Sequence, residues 1–325
     1  MPGITTKRRT VRSVRIQKHS PESGGIWRLR RSRGLQILEA APLANLEWLT
    51  HGFSTVGGGV SELAEAPRPT TSPRRVLNLG FTDWDTRERV SENRNRLFQA
   101  VGAAGMRIEG LRQIHSDVAI CVGSSIRTAS RDVPSGDALM TREPGVLLTV
   151  QTADCVPILL ADSAKRVVAA VHSGWRGTLQ RIAEKAIGRM RMEFGTRPED
   201  LLAAIGPSIG ECCYEVGHEV VKEFAAQFPD ARDWFTGPFD GLTDGDNDPN
   251  WLPWLTMKPP GHAPPSPRAY LDLKQANRKI LTTAGIREAN ISVSDFCTAC
   301  RGDLFFSYRR NQSTGRMMAA IGIRP

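Results

Sequence analysis

Three short segments carry side chains that could bind a metal ion and do chemistry. They read Gln113-Ile114-His115, Thr152-Ala153-Asp154-Cys155 and Val171-His172-Ser173-Gly174-Trp175-Arg176-Gly177. One thiolate and two imidazoles suit Zn²⁺, and three protein ligands leave a fourth coordination position open, as in catalytic sites. The sequence therefore predicts a catalytic zinc site at His115, Cys155 and His172, where the metal would lower the pKa of its water. The alternative is a hydrogen-bonded structural histidine and a buried free cysteine.

Two of these three ligands flank a predicted β-hairpin. The runs 156–161 and 166–171 are apolar and rich in β-branched residues, and a turn at 162–165 separates them, which predicts two buried strands. Antiparallel pairing would bring the two ends of the hairpin together. The thiol of Cys155 and the imidazole of His172 would then lie within a few ångströms of each other. His115 cannot be placed by this reasoning.

The other patterns favour an α+β fold. Apolar runs predict strands at 146–152 and 201–206. Apolar residues at i, i+3, i+4 spacing predict helices at 85–102, 179–190, 215–228 and 271–285. Strands and helices do not alternate strictly, so a doubly wound parallel sheet is disfavoured. We expect residues 35–325 to form a single layered domain of mixed sheets flanked by helices, like an α/β/β/α sandwich.

Two segments in the second half stand apart from these elements. The segment 236–268 is full of Pro, Gly and Asp, which predicts a long surface insertion. The final stretch has FFSYRR at 305–310, a turn at NQSTG and RMMAAIGI at 316–323. This pattern predicts a terminal hairpin.

The net charge of the chain arises from its first residues. Residues 1–34 contain ten Lys and Arg and a single acid, Glu22, which accounts for the whole formal charge of +9. The body is electrically balanced, so the high isoelectric point says little about the substrate. We interpret residues 1–34 as a disordered basic tail: a targeting arm, a weak polyanion-binding arm, or the product of an upstream start codon. No apolar run approaches a membrane span, and no secretion signal is visible.

The six cysteines predict a reducing compartment rather than a disulfide framework. Cys297-Thr-Ala-Cys300 is a lone C-x-x-C motif, because the adjacent pair Cys212-Cys213 has the wrong spacing for a second half of a zinc site. We expect these thiols to be reduced and structural. The predicted location is the cytoplasm.

The order of the motifs resembles one known family. The matching stretches include LNLG at 77–80, LRQIHSDV at 111–118, GDAL at 136–139, TVQTADCVPILLAD at 149–162, AAVHSGWRGT at 169–178, IGPSIGECCYEVGHEV at 205–220 and CTACRGDLFFSYRRNQSTGRMMAAI at 297–321. They are similar to the family variously called multicopper polyphenol oxidase (laccase-domain), peptidoglycan editing factor or LACC1-type purine nucleoside phosphorylase. The resemblance covers the chain from about residue 37 to residue 325, apart from the insertion.

This resemblance implies a function. It implies a catalytic zinc on His115, Cys155 and His172, and phosphorolysis of adenosine, inosine, guanosine and S-methyl-5′-thioadenosine to base and ribose 1-phosphate. It also implies adenosine deamination. The partners would be purine nucleosides and phosphate, with no specific nucleic acid and no membrane. The chain departs from the family at Val56, where an Arg is usual, which puts in doubt any phosphate or ribose contact from that turn.

Deamination at a metal centre also needs a proton-carrying carboxylate. Asp154, next to Cys155, and Asp137 in the GDAL motif are the candidate catalytic carboxylates. Both have an alternative interpretation as structural residues, with Asp137 capping a turn.

Phosphorolysis needs an anion site. Arg176 lies between Gly174 and Gly177 at a predicted helix start, where N–H groups and the helix dipole favour phosphate. Arg309 adds a second charge, and Gln113 is the candidate for a polar contact with the substrate. An arginine of a terminal hairpin can equally face solvent.

Two other functions compete with the leading one, a Cys–His hydrolase and a nucleic-acid-binding protein that acts through the basic tail, whereas a multicopper oxidase is discounted. A laccase centre needs many imidazoles, and the six histidines, with no His-x-His pair, cannot build it, although a single Cu²⁺ could replace zinc. The Cys–His hydrolase or amidase would act on peptidoglycan precursors, with Cys155 as nucleophile and His172 as base. His115 would be surplus in such a dyad, so the sequence favours the metal.

Overall fold

Two six-stranded sheets form the centre of the computed structural model, which describes residues 25–63, 74–123, 133–237, 239 and 268–325. The first sheet has the strand order β1-β2-β3-β17-β9-β6 and is antiparallel except for the β6–β9 pair. Its strands, in that order, are Trp27–Ser32, Leu35–Ala40, Leu49–Ser54, Met317–Ile323, Val146–Thr152 and Arg107–Glu109.

The second sheet carries the predicted hairpin at its centre. Its order is β16-β12-β10-β11-β8-β7, with parallel pairing at both edges. The strands, in that order, are Ile291–Val293, Leu201–Ile205, Val156–Asp162, Val167–Ser173, Ala138–Thr141 and Ala119–Cys121. Two smaller sheets are also present. One pairs β4 (Gly57–Leu63) with β5 (Arg74–Val76). In the other, β15 (Ala269–Leu271) lies between β13 (Glu215–Val216) and β14 (Phe235–Thr236).

Six α-helices are described. They are α1 to α6, at Ala41–Ala44, Arg87–Ala100, Trp175–Leu179, Ile182–Phe194, His218–Gln227 and Leu273–Thr283. Local signals set two of their starts: the Thr86 hydroxyl accepts the Arg89 N–H at the start of α2, and the Asp272 carboxylate caps α6. None of the described helices is both long enough and apolar enough to cross a membrane.

Three apolar layers hold the sheets and helices together. The middle layer lies between the two sheets and includes Val150 and Ile321 from the first sheet and Leu159 and Val168 from the second. One outer layer packs α4 and α6 against the second sheet, and the other packs α2 against the first. Each fully buried aliphatic side chain contributes roughly 1.5–3 kcal/mol. This helix–sheet–sheet–helix order confirms the predicted α+β fold of mixed sheets and helices.

Two predictions from the sequence were wrong, the end of the tail and the terminal hairpin. The predicted tail extends too far, because Trp27–Ser32 forms β1 and pairs along its full length with β2; residues 1–24 lie outside the described part. The predicted terminal hairpin does not form, since β17 lies between β3 and β9 and the FFSYRR stretch is a loop. Nearly all of the predicted insertion, at 238 and 240–267, also lies outside the described residues.

Candidate metal centre

The hairpin of β10 and β11 brings Cys155 and His172 together. Its register pairs Val156 with Ser173, so Cys155 directly precedes one strand where the other strand ends. The predicted antiparallel pairing is thereby confirmed. Gly174 follows the last residue of β11, and a Cβ atom on it would lie 2.9 Å from the Cys155 sulfur and 3.2 Å from Cδ2 of His115. A glycine is therefore required here for close approach of the backbone to the side chains of Cys155 and His115.

His115 reaches the same point from a loop that precedes β7. Its φ of 58° is in the left-handed region, which few non-glycine residues adopt. The buried carboxylate of Asp137 holds this loop by accepting the N–H groups of His115 at 3.1 Å and Ser116 at 2.6 Å, and the Ser116 hydroxyl at 2.7 Å. These charge-assisted hydrogen bonds offset the cost of the strained backbone.

The same carboxylate orients the imidazole of His172. Asp137 Oδ1 lies 2.9 Å from Nδ1 of His172, which leaves Nε2 to face the other two side chains. When one ring nitrogen of a histidine binds a metal, the other usually donates a hydrogen bond to a carboxylate or carbonyl oxygen. Asp137 therefore connects two of the three candidate ligands.

The donor set fits a zinc ion. One donor atom each from His115, Cys155 and His172 lies within 4.8 Å of the other two. The Cys155 sulfur is 3.8 Å from Nε2 of His115, close to the separation of about 3.6 Å that Zn–S and Zn–N bonds produce at a tetrahedral centre. Three ligands of this kind suit a catalytic rather than a closed structural site.

The charges of the site are mutually dependent. Burial disfavours the thiolate of Cys155, but the charge of His172 and hydrogen bonds from both histidines outweigh burial and lower its pKa to about 6. Burial likewise disfavours the imidazolium of His172, but Cys155 and Asp137 raise its pKa to about 9. The pKa of Asp137 falls well below its usual value, because hydrogen bonds from His172 and Ser116 outweigh the opposing effect of burial.

A cavity of about 630 Å³ opens above the three side chains. It is large enough for a nucleoside-sized ligand. Of the residues predicted to act on substrate, Gln113, Asp154 and Arg309 line it, together with the three candidate ligands. The other lining residues are Leu111, Gln151, Thr152, Ala153, Ile209, Tyr214, Tyr308 and Arg316.

Asp154 joins two loops of the cavity wall. It has a φ of 94°, and its two carboxylate oxygens accept the Thr298 hydroxyl at 2.6 Å and the Arg309 N–H at 2.7 Å. Its carbonyl oxygen accepts the Ile209 N–H. The carboxylate is thus committed to hydrogen bonds with the protein, in the same way as that of Asp137.

Two predicted contact residues are fixed by backbone groups. The Gln113 side chain donates to the carbonyl oxygen of Gln151 at 2.8 Å and accepts its N–H at 2.7 Å. The Arg309 guanidinium donates to the carbonyl oxygen of Glu215 and lies 5.1 Å from the ring centre of Tyr214. Both side chains are therefore pre-positioned at the cavity.

The predicted phosphate loop does not line the cavity. Arg176 is exposed and lies over the ring of its neighbour Trp175, at 4.5 Å. A Cβ on Gly177 would lie 3.2 Å from the Ile182 side chain, so this glycine fits a packing contact. The helix that begins here, α3, has only five residues.

The cavity residues that sequence reasoning missed include Tyr214, Tyr308 and Arg316. Tyr308 and Arg316 lie in the stretch mistaken for a hairpin, where a tyrosine followed by two arginines was the available signal. Val56, by contrast, is buried in an apolar cluster with Val76 and Phe305. The guanidinium that the family resemblance leads one to expect at that turn is therefore replaced by an apolar contact.

The argument from linear spacing that separated Cys212 and Cys213 from Cys297 and Cys300 was wrong. The sulfurs of Cys212, Cys213, Cys297 and Cys300 all lie within 4.8 Å of one another. Linear spacing hid this, because the two pairs lie on loops that follow neighbouring parallel strands, β12 and β16.

Comparison with known proteins agrees with the sequence resemblance. A family described as multi-copper polyphenol oxidoreductase laccase matches residues 50–324. A protein of Deinococcus radiodurans named purine nucleoside phosphorylase is 36% identical over 294 residues, which cover 89% of this chain and 94% of that protein. A protein of an unknown prokaryote named adenosine deaminase RL5 is 35% identical over 216 residues, covering 65% of this chain and 72% of that one. The crystal structure of YlmD from Geobacillus stearothermophilus superimposes with a TM-score of 0.69 at 33% identity, covering 92% and 99% of the two chains.

Proposed function

Since the chain belongs to the multi-copper polyphenol oxidoreductase laccase family, we propose that it is a zinc-dependent purine nucleoside phosphorylase. Its substrates would be adenosine, inosine, guanosine and S-methyl-5′-thioadenosine, with adenosine deamination as a second activity. The observation that carries the proposal is the convergence of His115, Cys155 and His172 at a cavity lined by two arginines and two tyrosines. The names of the similar proteins point to the same reactions. The cytoplasm, which keeps thiols reduced, is the compartment that we propose.

The metal would be held by His115, Cys155 and His172. A bound Zn²⁺ supplies Lewis-acid chemistry at this position. Cu²⁺ binds such ligands more tightly and could replace it. Multicopper oxidation is disfavoured, since no other histidine of the described chain lines the cavity.

The cavity side chains suit the two halves of a phosphorolysis. In this reaction an oxygen of phosphate forms a bond to C1′ of the ribose while the bond from C1′ to the purine nitrogen breaks. Arg309 and Arg316 both line the cavity, and their guanidinium groups donate to backbone carbonyl oxygens, that of Glu215 for Arg309 and those of Thr314 and Gly315 for Arg316. Their charges are therefore available to bind phosphate. Tyr308, which is half exposed, offers a ring face for a purine.

The two carboxylates act through other groups in this proposal. Asp137 keeps Nδ1 of His172 as the donor and orients its ring. Asp154 fixes the Arg309 backbone, and with it the guanidinium that faces phosphate. Both are positioning residues, as is Gln113, whose side chain holds the backbone of Gln151.

Chromatography of the products tests the proposal. Adenosine, inosine and S-methyl-5′-thioadenosine are incubated with the zinc-loaded protein, with and without phosphate. We expect free base and ribose 1-phosphate only when phosphate is present, and inosine from adenosine in both cases. Release of base at the same rate without phosphate would show that phosphorolysis is the wrong reaction.

A variant series assigns the site. Cys155→Ser should abolish both activities, whereas Cys121→Ser, a half-buried cysteine outside the cavity, should retain them. Arg316→Gln should raise the KM for phosphate by about tenfold, since one charge-assisted contact contributes roughly 1.5 kcal/mol. An unchanged KM for phosphate would remove Arg316 from the anion site.

The alternative of a Cys–His hydrolase rests on the same pair of residues. The lowered pKa of Cys155 beside His172 is the observation in its favour. A dyad predicts hydrolysis of peptidoglycan precursors that survives chelation, whereas the zinc enzyme loses activity and regains it when Zn²⁺ is added. The position of His115, in reach of the same sulfur, favours the metal.

A further inference from the structure

A second cluster of metal-binding side chains lies apart from the cavity. It consists of Cys212, Cys213, Cys297 and Cys300, and we refer to it as the four-cysteine cluster. The sulfur of Cys300 is 3.5 Å from that of Cys212 and 3.4 Å from that of Cys213. None of the four residues lines the cavity above His115 and Cys155. The cluster is therefore distinct from the candidate metal centre.

The distances between these sulfurs match a metal site. At a tetrahedral zinc with Zn–S bonds of about 2.3 Å, neighbouring sulfurs are about 3.8 Å apart. The two separations of 3.4 and 3.5 Å are close to this value, and every pair of sulfurs lies within 4.8 Å. A disulfide needs about 2.05 Å. We infer that the four-cysteine cluster is a structural Zn²⁺ site.

The backbone presents the four sulfurs from two tight turns. In the first, the N–H of Cys213 bonds to the carbonyl oxygen of Gly210; in the second, the N–H of Arg301 bonds to that of Cys297. The Gly210 N–H also donates to the Cys297 sulfur at 3.2 Å. Backbone N–H groups that donate to ligand sulfurs are the outer-shell contacts that support a metal site. Four protein ligands close the coordination, as in structural zinc sites.

A buried cation lies beside the cluster. Four thiolates around Zn²⁺ carry a net charge of −2, which burial would disfavour. The ammonium of Lys274 is mostly buried and donates to the carbonyl oxygens of Ser294 at 2.8 Å and Phe296 at 3.3 Å, in the loop that leads to Cys297. Burial lowers the pKa of Lys274, and the negative charges of Asp272 and Cys297 partly oppose this effect. A lysine buried at this point compensates part of the cluster's negative charge.

The site would fix one wall of the cavity. The first turn lies between Ile209 and Tyr214, which both line the cavity. The second turn carries Thr298, whose hydroxyl donates to Asp154 and whose N–H bonds to the carbonyl oxygen of Ser208. A metal that joins the two turns therefore holds the wall in place, whichever reaction the cavity performs.

Metal analysis of purified full-length protein tests this inference. Cys155→Ser removes a ligand of the candidate catalytic site. Zinc that stays bound to this variant therefore occupies another site. We expect this variant to retain about one equivalent of zinc and the variant that also carries Cys300→Ser to lose it. Cys155→Ser combined with Cys121→Ser is the matched control and should keep it. Zinc content that does not change on Cys300→Ser would overturn the inference, as would iron in place of zinc.

A second measurement uses the unmodified protein and does not depend on a variant that folds. Cys212 and Cys300 are exposed, so free thiols at these positions would be accessible to iodoacetamide. We expect both to be protected until a strong chelator is added, while Cys121 reacts at the same rate with and without chelator. Equal rates at Cys212 and Cys300 in both conditions would overturn the inference. An intact mass that is lower by two hydrogens for each disulfide would also overturn the inference, because it would show that the cysteines are oxidised.

Discussion

Replacement of Asp137 by Asn is the sharpest test of how the candidate metal centre is supported. Oδ1 of this carboxylate accepts Nδ1–H of His172 and the N–H of His115, and Oδ2 accepts the N–H and hydroxyl of Ser116 and, at 3.3 Å, the N–H of Ile114. Asparagine has one oxygen and one NH₂ group at these two positions. In either orientation, the NH₂ group faces at least one N–H donor.

Both orientations have a calculable effect. With NH₂ at the Oδ2 position, the N–H of Ser116 loses its acceptor, which costs about 1–3 kcal/mol of unfolding free energy. With NH₂ at the Oδ1 position, Nδ1 of His172 must accept, so Nε2 carries the proton and cannot bind a metal. Loss of such a supporting contact lowers metal affinity by about 10- to 100-fold. We therefore expect Asp137→Asn to weaken zinc binding by this factor and to lower stability.

Zinc affinity is measured by competition with a chelating dye, and stability by urea unfolding. Asp117→Asn is the matched control, because this exposed carboxylate pairs with Lys185 at the surface and should contribute less than about 1 kcal/mol. The control should bind zinc as wild type does. If folded Asp137→Asn also bound zinc as tightly as wild type, Asp137 would not orient the ligands.

Two further predictions concern the ligand backbone and the pH dependence of stability. Gly174→Ala should weaken zinc binding, because its Cβ would lie 2.9 Å from the Cys155 sulfur; unchanged affinity in a dye competition would contradict the required close approach. Burial, and secondarily Arg30 and Arg28, lower the pKa of His51 from its ordinary 6.5 to about 3. The neutral imidazole therefore contributes stability that is complete above pH 6.5 and is lost as the pH falls toward 3. We expect this to be about 2 kcal/mol between pH 7 and 5 in urea titrations, and His51→Gln should lack this part of the pH dependence.

The sequence predicted the layers of the fold and the meeting of Cys155 with His172, because both follow from local patterns. Continuous apolar runs identify the buried strands, period-3.6 spacing identifies the helices, and one short turn fixes the register of β10 against β11. His115 could not be placed, since a loop with a left-handed residue and the distant carboxylate of Asp137 bring it to the site.

Two of the errors share one physical cause. The chain end pairs with β3 and β9 rather than with the adjacent FFSYRR stretch, and such long-range pairing leaves no local pattern. The four-cysteine cluster was dismissed for the same reason: Cys213 and Cys297 are far apart in sequence and meet only because β12 and β16 are neighbours. The third error has a different cause, because β1 pairs with the adjacent strand β2 and was masked by the basic composition of residues 1–34.

Anomalous diffraction at the zinc edge, from crystals of zinc-loaded protein that is active in solution, tests the central claim most directly. We expect a peak about 2.3 Å from the Cys155 sulfur and about 2.0–2.1 Å from one ring nitrogen each of His115 and His172. An active crystal form without anomalous density between these three side chains would contradict a metal centre at the base of the cavity.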